Sequence, residues 1–153
     1  MLARAREKRA AAASAPLLHY RTGQAFRAYK ILQAACVALP LLEGADKFFG
    51  LLRPWNAWLA PVLQARIPLK ASLLAQIVGG FEILLALAVW RAPRWATYAL
   101  AVWSVLLAAN QILLKSFHDL ALHYAVFAVA CLALARLEAE FRRGYSAVQD
   151  WER

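Results

Sequence analysis

Cysteine is scarce in this 153-residue chain: Cys36 and Cys131 are far apart, and each lies inside an apolar block. They form no C-x-x-C, which sets aside the thiol–disulfide oxidoreductases of the four-helix membrane type, and no disulfide framework. No C-x-x-C-H haem attachment, iron–sulfur spacing or flavin fingerprint occurs, so no motif equips the chain to carry electrons alone. The two thiols read as small apolar packing residues near mid-membrane depth, with a buried redox pair as the alternative. Histidine is nearly as sparse, with three residues. His118 and His123 are five apart and point to different helix faces. Asp119 and His123 share a face, but two ligands are too few for a closed metal site. The excess of basic residues comes with no nucleic-acid-binding motif. Residues 1–25 lack the apolar core that a secretory signal places ahead of a small-residue run such as Ala10–Ala15. They read as a basic, disordered cytoplasmic tail, with an organelle presequence as the alternative given Arg4, Arg6, Arg9 and the single acid Glu7.

What the chain has in plenty is apolar surface. Hydrophobic residues make up 63% and the mean hydropathy is +0.48, which suits a membrane protein better than a water-soluble domain. Four apolar blocks, 26–48, 69–90, 95–114 and 119–137, are each close to the ~20 residues that cross ~30 Å of hydrocarbon as a helix. The pattern predicts an all-α, integral membrane, antiparallel four-helix bundle, followed by a charged cytoplasmic tail, 138–153. Charge sets its orientation. With the N-terminus inside, thirteen basic residues fall in cytoplasmic segments, against five outside: Lys47, Arg53, Arg66, Lys70 and Lys115. Both termini are therefore expected in the cytoplasm. Trp55, Trp58, Trp90 and Trp95 fall near the expected interfaces. The long link between spans one and two carries Trp55, Trp58, Leu59, Val62 and Leu63 at helical spacing, with Pro54 suited to a first helical position and Pro61 disturbing the middle. It predicts one or two short turns on the outer surface, either a membrane-hugging connector or a lid.

The inward faces follow from spacing. Tyr29, Gln33, Cys36, Pro40, Glu43 and Lys47 share one face of span one. Glu43 and Lys47, four apart, are placed to pair directly. Ala71, Ala75, Gly79, Glu82 and Ala86 share a face of span two, where small residues permit close helix approach. Ala101, Ser104, Ala108, Gln111 and Lys115 line span three, with Asn110 beside them. Span four offers Ala121, Ala125, Ala128 and Ala135. Glu82 alone is charged near the midplane, roughly 16 Å below Ala71 by helix rise. A carboxylate at that depth is costly and marks a functional interior. It needs a cation to stay ionised, and Lys47 is the candidate. Asp46, Gln76, Asn110, Gln111 and His123 lie in the outer part with Glu43 and Lys47. Together they predict a polar funnel opening outward, or else interhelical bonds of purely structural purpose.

Gly44-Ala45-Asp46-Lys47-Phe48 resembles the small-x-x-Lys-Phe/Leu signature of the DoxX-like membrane proteins. Pro68-Leu69 and Gly79-Gly80-Phe81-Glu82-Ile83-Leu84 resemble that family's second segment, Gly-x-x-Glu-Leu, although Ala86 or Ala88 stands where a glycine is frequent. The resemblance covers residues 26–137. It implies a four-helix integral membrane protein of a functionally mixed family, with members linked to quinones, to redox-stress complexes or to assembly, and Lys47 and Glu82 as the residues to carry over. The expected function is a redox-associated, quinone-linked membrane subunit with an outward-facing polar cavity. The alternative is a non-catalytic assembly factor or structural subunit. An accessory role is expected over a stand-alone enzyme. The expected ligand is a quinone or lipid, with no covalent cofactor and no metal. The expected partners are the lipid bilayer and a protein partner or second copy, without nucleic acid, in the plasma (bacterial inner) membrane. A secondary transporter would need more spans or repeats. The candidate ligand- or proton-handling residues are Glu82, Lys47, Glu43, Asp46, Gln76, Asn110, Gln111 and His123.

Overall fold

The computed structural model describes residues 23–52, 54–55, 58–115 and 118–151, and of residues 143–151 the backbone alone. Among the described residues five helices follow one another, α1 (Gln24–Phe49), α2 (Pro61–Gln64), α3 (Ala71–Arg91), α4 (Pro93–Leu114) and α5 (His118–Trp151), and there is no strand. Four of them, α1, α3, α4 and α5, are long and apolar enough to cross a membrane. They match the four apolar blocks to within a few residues, except that α5 runs on from 137 to Trp151, into the segment expected as a tail. Of the tail expected at 1–25, residues 1–22 lie outside the described residues.

Local chemistry sets the helix ends. Gly50 ends α1 in the left-handed region (φ 64°) and its N–H donates to the Asp46 carbonyl at 2.6 Å, the usual glycine stop. A single residue, Ala92, separates α3 from α4, and Pro93 opens α4 where its missing N–H costs nothing. Pro40 sits buried inside α1 and leaves the Cys36 carbonyl without its helical donor.

The helices close into a ring. α4 with α5 and α1 with α3 form the broad interfaces, while α3 with α4 and α1 with α5 form narrower ones. Side-chain pairs fix the α1–α5 register. Tyr29 Oη donates to Glu138 Oε2 (2.6 Å), Cys131 Sγ lies 4.0 Å from Cys36 Sγ, and Tyr124 Oη donates to Glu43 Oε2 (3.0 Å). Both helices advance seven residues per rung, in opposite directions. This is the heptad repeat of antiparallel helices that stay in contact along one seam.

Buried faces largely follow the predicted stripes. Tyr29, Gln33, Cys36, Pro40 and Lys47 are buried on α1, Ala75, Gly79, Glu82 and Ala86 on α3, and Ala101, Ser104, Ala108 and Gln111 on α4. Lys115 and Ala125 are corrections. Lys115 is exposed just past the end of α4, and Ala125 is exposed because the α5 seam runs through Ala121, Tyr124, Ala128 and Cys131. The outward faces are apolar, with Leu84, Leu87, Val102, Leu106, Leu122 and Val129 all more than half exposed.

The link between α1 and α3 differs most from expectation. Trp55 and Trp58 are not exposed as anchoring aromatics would be. Each is 7% exposed and tucked into one end of the bundle with Leu59 and Ala60. Val62 and Leu63, expected on the same face, are exposed. Pro61 explains the difference: it starts the one-turn helix α2 at its first position instead of disturbing a longer helix. Trp90 and Trp95 remain exposed as interface aromatics would be.

Candidate functional site

Two glycines make the site possible. A Cβ on Gly44 would lie 2.6 Å from the Gly79 carbonyl oxygen, and a Cβ on Gly79 would lie 2.6 Å from the Gly44 carbonyl oxygen. Only with both side chains reduced to hydrogen can α1 and α3 approach this closely. Three residues further along each helix stand Lys47 and Glu82. Lys47 Nζ donates to Glu82 Oε2 at 2.7 Å, and both side chains are 1% exposed. The pair expected within α1, Glu43 with Lys47, does not form through the carboxylate. Lys47 reaches only the Glu43 backbone carbonyl, at 3.5 Å. The Trp55 ring covers the ammonium with its centroid 4.0 Å away, a cation–π contact that shields the charge from that end of the bundle.

This ion pair separates two cavities. One opens at the end of the bundle beside Lys47. It measures about 240 Å³ and is lined by Phe48, Phe49, Pro54 and Trp55 with Ser72, Ala75 and Gln76. The other lies between all four long helices and measures about 10 Å³, the size of one water. Glu82, Glu43, Trp103, Ser104 and Tyr124 contribute to its wall. Glu82 Oε1 and Trp103 Nε1 are buried without a hydrogen-bond partner among the described residues. The indole lies close to the carboxylate, yet no direct bond of good geometry closes between them.

The remaining predicted residues divide by task. Asp46 is a loop clamp: one oxygen accepts from the Leu51 and Leu52 amides at 2.8 Å each, the other from Trp55 Nε1 at 2.7 Å. It thereby holds Trp55 over Lys47. Asn110 anchors the link, accepting from Ala60 N (3.0 Å) and donating to the Trp58 carbonyl (2.8 Å). Gln111 is buried, and its Oε1 finds no partner among the described residues. Gln76 is exposed on the wall of the larger cavity. His123 is exposed, its ring edge-on to Tyr124 and apart from the pair. Asp119 is exposed as well, and no group of three or more metal-ligating side chains occurs among the described residues.

Sequence reasoning missed Tyr124, Trp103 and the Tyr29–Glu138 bond. One signal was present. Tyr29, Cys36 and Glu43 in α1 repeat as Tyr124, Cys131 and Glu138 in α5, with the same seven-residue spacing. Run antiparallel, those two triplets pair tyrosine with glutamate at each end and cysteine with cysteine in the middle. No protein-family model, curated protein or solved structure matches the chain. The DoxX-like resemblance therefore rests on its short motifs.

Proposed function

We propose that this chain is a multi-pass protein of the plasma (bacterial inner) membrane, with both termini cytoplasmic. In this reading it serves as a redox-associated accessory subunit whose outward cavity receives a quinone head group or a similar small ring. The observation that carries the reading is the buried Lys47–Glu82 pair on the inner side of a cavity walled by aromatic rings. Its volume of about 240 Å³ suits a single substituted ring and not a drug-sized ligand. Phe48, Phe49 and Trp55 offer apolar faces, and Gln76 and Ser72 offer hydrogen bonds. Quinone reduction takes up protons with electrons, so an ionisable pair next to the ring has a chemical use. The electrons come from a partner protein. The apolar outward faces, the inward placement of the polar groups and the basic bias of the segments assigned inside support membrane insertion in this orientation.

The test is a photoreactive quinone applied to the full chain in native membranes. Label is expected in the peptides that carry Phe48, Phe49, Trp55 and Gln76, and excess plain quinone should compete it away. Label confined to the outward faces of α4 and α5, indifferent to competitor, would refute the reading.

A second reading, the assembly or structural subunit, is favoured by how completely the pair is enclosed. Lys47 spends its charge on Glu82 and Trp55, and the Gly44–Gly79 contact braces the same helices. Purification in mild detergent tests it: the absence of any co-purifying polypeptide would count against a structural subunit.

A further inference from the structure

The cavity of about 10 Å³ between the four long helices brings together one orphan acceptor and one orphan donor, Glu82 Oε1 and the Trp103 N–H. Each is a costly group to bury unpaired. A water needs roughly 10–15 Å³ of such space and two to four polar partners. Here the Trp103 N–H can donate to it, and the carboxylates of Glu82 and Glu43 can accept from it. The charges point the same way. Among the described residues Lys47 is the single cation facing the cavity group, against two carboxyls, Glu82 from α3 and Glu43 from α1. From α4 come the neutral Trp103 and Ser104, and Ser104 already donates to the Leu100 carbonyl at 2.8 Å. From α5 comes Tyr124, which donates to Glu43 at 3.0 Å. Asp46 is turned away onto the loop amides. Two carboxylates and one ammonium would leave a net negative charge inside the bundle, which is expensive. One proton shared by the two carboxyls removes it.

We propose that this cavity holds one water bridging Glu82, Glu43 and Trp103, and that the two glutamates share a single proton through it. In the transfer the Glu82 carboxyl gives its proton to the water while the water gives another to the Glu43 carboxylate. Glu82 ends ionised against Lys47, Glu43 ends neutral, and the water is unchanged. Glu43 is half-buried where Glu82 is 1% exposed, so the exchange moves a proton away from the ion pair. Glu43 is thereby the second proton-holding residue of the site, and Trp103 and Tyr124 are its positioning residues. The inference builds on the proton-handling reading of Glu82, but not on the identity of the molecule in the outer cavity.

Infrared difference spectroscopy between acid and alkaline pH, on the full chain in lipid nanodiscs, tests it. A carboxylic C=O band is expected that Glu82→Gln and Glu43→Gln each abolish and that Tyr124→Phe shifts. Exchange into H2(18)O should move an accompanying O–H stretching band, and Trp103→Phe should remove that band. Glu138→Gln is the matched control, since Glu138 accepts from Tyr29 at the other end of the same seam. It should leave the Glu82 band in place. If Glu43→Gln does not fold, Tyr124→Phe reads the same coupling. A Glu82 band indifferent to both variants overturns the shared proton. No isotope-sensitive O–H band overturns the water and indicates a direct Trp103–Glu82 bond. Quinone labelling is scored separately on the wild type, so its failure leaves the infrared result standing.

Discussion

Removing either member of the Lys47–Glu82 pair should destabilise the protein far more than removing both. The two side chains are each 1% exposed and 2.7 Å apart, so neither finds water when its partner goes. Breaking a buried pair from one side costs about 3–5 kcal/mol, whereas replacing both with apolar groups of similar volume is often neutral or stabilising. The surroundings refine this. In Glu82→Leu, Lys47 keeps the Trp55 ring at 4.0 Å and the Glu43 carbonyl at 3.5 Å. A desolvated cation–π contact offsets about 2 kcal/mol, so the expected loss is about 1–3 kcal/mol. In Lys47→Met, Glu82 keeps only the nearby Trp103 indole, and the loss should reach the full ~3–5 kcal/mol. The double variant should fall within about 1 kcal/mol of wild type. Unfolding of the full chain in mixed micelles, followed by circular dichroism, measures all four corners of the cycle. Losses that simply add in the double variant would mean that the two charges do not interact and that the pairing argument is wrong.

Other consequences follow from particular contacts. Gly79→Ala places a Cβ 2.6 Å from the Gly44 carbonyl oxygen and should cost about 1–3 kcal/mol or more by overpacking, while Gly80→Ala, with nothing within 4 Å, should be neutral or slightly stabilising in the same unfolding assay. Asn110→Ala removes both bonds to the link and should cost about 1–3 kcal/mol. Limited proteolysis would read this as faster cleavage between residues 51 and 69, and unchanged cleavage would count against the anchor. Cys36 and Cys131 have sulfurs 4.0 Å apart, within reach of the ~2.05 Å bond after a small side-chain rotation. Iodine, a small apolar two-electron oxidant, should link them, releasing two equivalents of iodide and lowering the intact mass by two hydrogens. Failure to link in the folded protein would contradict the α1–α5 register.

The four long helices were legible because apolar length and period are averaged over many residues, and a shift of two residues at an end changes little. The inward stripes on α1, α3 and α4 were legible for the same reason. Glu82 was legible because a carboxylate amid twenty apolar residues has few harmless explanations, and Lys47 because a buried acid needs a cation. Partners across helices were not legible. Glu43 and Lys47 are neighbours along α1, yet the Gly44–Gly79 approach gives Lys47 a partner on α3 and leaves Glu43 to Tyr124. Such choices depend on interhelical distance, which periodicity does not carry. The link failed in a different way. Spacing placed Trp55 and Trp58 on a surface face, but Asp46 and Asn110 hold their backbone and indole groups inside the bundle end. One cross-helix pattern is written in the sequence itself, the repeated Tyr, Cys and Glu of α1 and α5, whose antiparallel pairing defines a seam.

The most direct test of the buried pair is a solid-state NMR dipolar measurement between Lys47 Nζ and Glu82 Cδ, with the labelled full chain in lipid bilayers. The account predicts strong coupling from atoms in hydrogen-bond contact and an ammonium that does not exchange rapidly with bulk water. An uncoupled Lys47 signal in fast exchange with water would contradict it.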